Sequence, residues 1–139
     1  GLELIGANLS KAWLLGVNLS QANLSQANLA GVHLSDATLI EADLREANLE
    51  NANLVYTDFK KANLREANLE NANLLHADFK KANLTKTNLR GANLLRAQNL
   101  TCEQIMSAVL DKNTRLPGYI HLTGSLEAEY ECENQSKKN

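Results

Sequence analysis

REANLENANL at Arg45–Leu54 recurs letter for letter at Arg65–Leu74, and DFKKANL at Asp58–Leu64 recurs at Asp78–Leu84. Both offsets are twenty residues. Within and around these blocks a shorter period rules. From Leu4 to Leu94 every fifth residue is Leu, except Phe59 and Phe79. Two places earlier, from Ala7 to Ala97, stands Ala, replaced only by Val17, Val32, Thr57 and Thr87. The residue between is usually Asn, so the unit reads A-N-L-x-x, with the last two places free.

A period of five suits neither regular element. On an α-helix, at about 100° per residue, five steps advance the apolar position by about 140° and no face stays apolar. On a flat strand an odd step sends alternate leucines to opposite faces. The period works only if the chain corners once per unit, so that every Leu points to one axis. Four units per twenty-residue block then predict a square coil, and coils stacked at ~4.8 Å give a tower about 22 Å tall. Small residues at the Ala place fit four walls converging on a narrow axis. Asn fits a chain that bends so often, because its amide bonds nearby backbone. Asn8, Asn28, Asn48, Asn68 and Asn88 are expected to stack as one amide ladder.

Nineteen consecutive units, about two thirds of the 139 residues, resemble the pentapeptide-repeat proteins abundant in cyanobacteria. The resemblance implies an all-β solenoid: a right-handed quadrilateral parallel β-helix of four pentapeptides per coil, with the Leu or Phe and the small residue inside. We therefore divide the chain into a β-helix over 1–100, a capping helix and turn over 101–117, and a polar, acidic tail over 118–139. Thr101 and Gln104 form a capping box with Leu100 and Ile105 as its staple. Ile105, Ala108 and Val109 share one helical face, so a helix from Cys102 to about Leu110 is expected over the last coil. LTCEQI and DKNTRLPGY look like the helical cap that follows the repeats in cyanobacterial members. Residues 124–139 are expected to be loose. No comparable cap precedes Leu2, which suggests a truncated start or a contact there with another molecule.

The formal net charge is −2, and residues 1–100 hold ten basic and ten acidic side chains, so no global field attracts nucleic acid or a membrane. No apolar run approaches the ~20 residues of a membrane span. No signal peptide is visible and the chain starts at Gly1, which leaves localisation open.

Chemistry-bearing motifs are sparse. His33, His76 and His121 have no partner at metal-ligand spacing, and no phosphate loop, carboxylate pair or nucleophile elbow occurs. A core filled by Leu also lacks the cleft that catalysis needs. No enzyme, cofactor or metal is expected. Cys102 and Cys132 leave three readings open. They form a disulfide, which would point to an oxidising compartment such as the periplasm or thylakoid lumen; they are ordinary reduced thiols, as in the cytoplasm; or Cys102, in the expected first helical turn, is a reactive thiol.

Stacking by twenty sorts the outward residues into four faces. One carries Leu15, Val55, Leu75 and Leu95 beside Tyr56, His76 and Arg96, with Trp13 and His33 just before them. Outward apolar and aromatic residues gathered this way mark a candidate interface for a protein partner; they also suit strands simply as β-formers. Another face stacks Lys60 and Lys80 beside Lys61 and Lys81, a candidate anion stripe that block duplication explains equally well. The leading functional expectation is a structural or protein-interaction module. The resemblance also suggests a rival, since some relatives mimic DNA and inhibit gyrase. Those relatives are acidic, Phe-rich dimers, whereas this chain is Leu-dominated with charge-neutral repeats.

Overall fold

In the computed structural model the described residues are 1–135; the last four residues of the tail lie outside them. The five-residue units form a square tower. Residues twenty apart pair as parallel bridges, giving four sides. The first runs Glu3, Asn23, Asp43, Asn63, Asn83, and the second Asn8, Asn28, Asn48, Asn68, Asn88. The third runs Trp13, His33, Asn53, Asn73, Asn93, and the fourth Asn18, Thr38, Asp58, Asp78, Gln98.

The axis is packed as the period requires. From Leu24 to Leu94 every Leu or Phe of the central place is at most 1% exposed, and the Ala beside it is similarly buried. Burying each Leu contributes about 1.5–3 kcal/mol. Phe59 and Phe79 stack with ring centroids 5.4 Å apart. The two polar intruders are satisfied: the Thr57 hydroxyl donates to the Leu34 carbonyl at 2.9 Å and that of Thr87 to Leu64 at 2.7 Å.

One unit shows where every backbone amide goes. Asn48 N–H donates to the coil before it (Ala27 O, 2.9 Å), and Leu49 and Asn51 donate to the coil after it (Asn68 O, 2.7 Å; Glu70 O, 3.0 Å). Ala52 N–H closes the corner onto Leu49 O at 3.1 Å. Glu50 N–H has no backbone partner and is taken by the Asn48 side-chain Oδ1 at 3.1 Å. The same i+2 bond recurs along the tower at Asn and Asp alike, as in Asn63–Arg65 (3.1 Å) and Asp78–Lys80 (3.0 Å). Asn is therefore selected chiefly as the acceptor for one amide per corner. The inter-coil amide ladder is narrower than expected: side-chain bonds link Asn48, Asn68 and Asn88, at 3.4 and 3.1 Å, but do not reach Asn8 or Asn28.

The last place of the unit is not free. All nineteen of these residues have φ between +55° and +67°, the mark of a type II corner. Only four are Gly; Lys, Glu, Tyr and His occupy the same left-handed conformation, each at a cost of about 1–2 kcal/mol.

The cap departs from expectation in two ways. The capping box is present at Thr101 and Gln104, but helix α1 spans Cys102–Ser107 and ends three residues earlier than Leu110. The reason is the unpaired edge of the last coil. Lys86 and Leu89 N–H donate to Ser107 and Val109 carbonyls, both at 2.8 Å, and Val109 N–H donates to Thr87 O. These bonds outbid another helical turn, so Ala108 is extended and Val109 joins the second side opposite Asn88. Arg115 then joins the third side opposite Asn93. Gln104 Nε2 donates to Phe79 and Ala82 carbonyls (2.8 and 3.0 Å) above the first side, and the Tyr119 hydroxyl donates to Ala97 O at 2.6 Å. The cap is thus one circuit of chain over the top coil.

The second correction concerns the tail. Strands β1 (Ile120–Gly124) and β2 (Tyr130–Asn134) pair as an antiparallel hairpin, with Leu122 opposite Cys132. Ile120 is buried and Leu122, Tyr130 and Cys132 are half-buried, while their neighbours in each strand are exposed. That alternation gives the hairpin one packed face against the cap. The expected loose stretch from residue 124 is therefore folded as far as the described residues reach, at 135.

Candidate functional site

The outward groups gather most distinctively on the third side and the corner that follows it. Trp13 and His33 occupy the face place, which in the later repeats of this side is Asn. Their rings stack at 3.8 Å with planes 7° apart. At the corner, Tyr56 and His76 stack at 4.4 Å and 3°. Trp13 is 73% exposed, Leu15 58% and Tyr56 54%, while Val55, Leu75 and Leu95 are half-buried and Arg96 is exposed. The structure thus brings all nine of these residues onto one strip.

The aromatic residues hold the face place at a structural cost. Asn53, Asn73 and Asn93 cap the following amides of Val55, Leu75 and Leu95 at 3.3, 3.2 and 3.1 Å. Trp13 and His33 offer no such acceptor, and Leu15 and Ser35 N–H take no bond within the described residues. A lost hydrogen bond of this kind is worth about 0.5–1.5 kcal/mol. Two residues of the strip escape the sequence reading. Asp36 precedes Tyr56 in the corner column, and Arg115 extends the Trp13 column through its bridge to Asn93. Asp36 is legible from the twenty-residue period; Arg115 lies beyond the repeats and carries no signal.

The lysine stripe is partly neutralised. Lys60 Nζ sits 3.2 Å from Asp58 and 3.6 Å from Asp78, and Lys61 lies 3.9 Å from Glu41. The hydrogen bond to Asp58, helped by both aspartate charges, raises the Lys60 pKa above the usual lysine value. Lys80 and Lys81 have no carboxylate within 4.0 Å among the described residues. Two open ammonium groups remain of the four.

Cys102, in the first turn of α1, and Cys132, in β2, are joined by a disulfide with Cα atoms 5.5 Å apart. It fastens the hairpin to the cap. His121 is on β1, its Nε2 3.1 Å from Gly118 O, and lies apart from His33 and His76. Among the described residues no group of three or more His, Cys, Asp or Glu could hold a metal ion, and no helix is long and apolar enough to cross a membrane.

The repeat pattern of the family Pentapeptide repeats (8 copies) matches residues 3–39, 33–70 and 57–96. The chain belongs to this family, whose fold is the right-handed quadrilateral β-helix. Among solved structures, it is similar to alr5209, a pentapeptide repeat protein from Nostoc PCC 7120, at 29% identity and a TM-score of 0.52, over 83% of this chain and 74% of that one. It is also similar to Rfr23, a pentapeptide repeat protein from the cyanobacterium Cyanothece 51142, at 32% identity and a TM-score of 0.39, over 78% and 90%. QnrB1, a plasmid-mediated fluoroquinolone resistance protein, matches at 13% identity and a TM-score of 0.31, over 79% and 80%. No curated protein matches the chain.

Proposed function

We propose that this chain is a non-catalytic interaction module: a rigid tower that presents the third side and its following corner to a protein. One observation carries this reading. At Trp13 and His33 an aromatic pair replaces the residue type that caps the corner amide, and it does so on the side that also exposes Leu15 and Tyr56. A requirement of the corner itself would favour Asn there; a contact surface favours exposed aromatic rings, which dominate protein–protein recognition.

The DNA-mimic alternative finds less support. Acids and bases balance over residues 1–100, and Lys60 and Lys61 lie among Asp58, Asp78 and Glu41. A polyanion surrogate needs uncompensated negative charge. Anion binding on the lysine stripe is likewise left to Lys80 and Lys81.

Affinity capture from the source organism with the intact chain and with Tyr56→Glu/Leu75→Glu tests the proposal. Glutamate already occupies the equivalent corner places at Glu66 and Glu70, so the variant keeps the fold. A near-stoichiometric protein lost on substitution supports the module. Equal capture by both forms defeats it.

A further inference from the structure

Six layers stack along the third side: Trp13, His33, Asn53, Asn73, Asn93 and, added by the cap, Arg115. The corner column beside them reads Gly16, Asp36, Tyr56, His76 and Arg96. Asp36 and Arg96 are exposed, two layers apart from the aromatic pair's far members, and neither has an ion-pair partner among the described residues. The column is negative towards the first coil, aromatic in the middle and positive towards the cap.

Such a column is complementary to its own reverse. We propose that the partner of this strip is a second copy of the chain, packed antiparallel about a two-fold axis that lies across the strip between the Asn53 and Asn73 layers. The proposal rests on the third side being a docking surface, and it names what docks there. A two-fold in that position keeps each column opposite itself and reverses the layers. Asp36 then faces Arg96 of the second copy, Tyr56 faces His76, and Val55 faces Leu75, each contact occurring twice. In the outermost layers Trp13, the most exposed of the large hydrophobic residues, faces Arg115 of the second copy, a cation over its indole.

Other alignments are worse. A parallel pair meeting at this corner sets Asp36 against Asp36 and Arg96 against Arg96. Sliding the antiparallel pair by one layer puts Arg96 opposite Gly16 in one direction and opposite Tyr56 in the other, and either slide parts Arg96 from Asp36 and Arg115 from Trp13. The chosen register has one like-charged pair, Glu50 against Glu70, at the opposite edge of the side. It pushes the contact towards the Tyr56 corner. Opposed charges of this kind set register and partner more than raw affinity. A strip about 24 Å long and one corner wide is small beside a standard interface, so the dimer belongs to the weak class.

Sedimentation equilibrium from micromolar to about 1 mM protein reads this directly. The weight-average mass should rise from 15.2 kDa towards twice that value. Asp36→Arg and Arg96→Asp should each weaken dimerisation by about tenfold, and the double charge reversal should restore it. Both places accept either charge, since Lys, Arg, Asp and Glu all occur in this left-handed position. A chain that stays monomeric throughout, or a double reversal as weak as the single ones, overturns the self-pairing. If the chain stays monomeric while Tyr56→Glu/Leu75→Glu abolishes capture of a different protein, the docking surface stands and the second copy does not.

Discussion

Truncating Asn68 to Ala isolates the physical role of the commonest residue of the repeat. Its Oδ1 accepts from Glu70 N–H at 3.0 Å and from Asn88 Nδ2 at 3.1 Å, and its Nδ2 donates to Asn48 at 3.4 Å. Losing the first bond leaves a corner amide without a partner, at about 0.5–1.5 kcal/mol. The two ladder bonds are long or near the surface, and together add less than about 1 kcal/mol. Asn68→Ala should therefore destabilise by about 0.5–2.5 kcal/mol. Asn68→Asp should cost less, because Asp58 and Asp78 already accept the same i+2 amide at 3.0 Å. The reverse change is equally informative. Thr38 leaves Ile40 N–H without a bond among the described residues, so Thr38→Asn should stabilise by about 0.5–1.5 kcal/mol. Urea denaturation followed by circular dichroism reads all three as midpoint shifts at constant slope. If Asn68→Ala matches the parent and Thr38→Asn gains nothing, the corner amides do not depend on the side chain, and the account of Asn is wrong.

Leu64→Ala should cost about 3–5 kcal/mol, towards the upper end for such changes, because four bonded walls cannot collapse into the void; the urea midpoint measures it. The hydrogen bond from Arg45 holds the Asp43 carboxyl below its usual value. Stability from this pair is present above the unfolded carboxylate pKa and lost as pH falls through the lower folded one, so Arg45→Ala should raise the Asp43 titration followed by NMR. Thiol counting on denatured, unreduced protein should find no free thiol. Cys132→Ser should cost about 3–4 kcal/mol through the 30-residue separation the bridge closes; two free thiols would remove the bridge from the account.

The tower was legible because its decisive residues are buried ones, and a Leu every fifth position leaves the chain no other way to hide them. What the pattern did not show is the left-handed corner. Its side chains point outward and vary, so a strict backbone demand leaves almost no trace beyond four glycines and a few Asn. The short helix was misjudged because Ile105, Ala108 and Val109 do fit a helical face, while the competing attraction, the open amides of Lys86 and Leu89, is a property of the last coil and not of the segment. The hairpin did leave a signal. Ile120-His-Leu-Thr and Tyr130-Glu-Cys-Glu alternate with period two, but acidic composition outweighed it. The aromatic strip followed from stacking by twenty; Arg115 joined it only through a bridge that no repeat announces.

Spin labels test the coil itself. Glu46 and Glu66 sit one above the other at the same corner, about 4.8 Å apart along the axis, whereas Glu46 and Tyr56 stand at opposite corners. Labels at 46 and 66 should therefore show strong dipolar broadening, and labels at 46 and 56 much less, although the second pair is half as far apart in sequence. A helix, rising 1.5 Å per residue, would reverse that order, and the reversed order would contradict a chain that corners once every five residues.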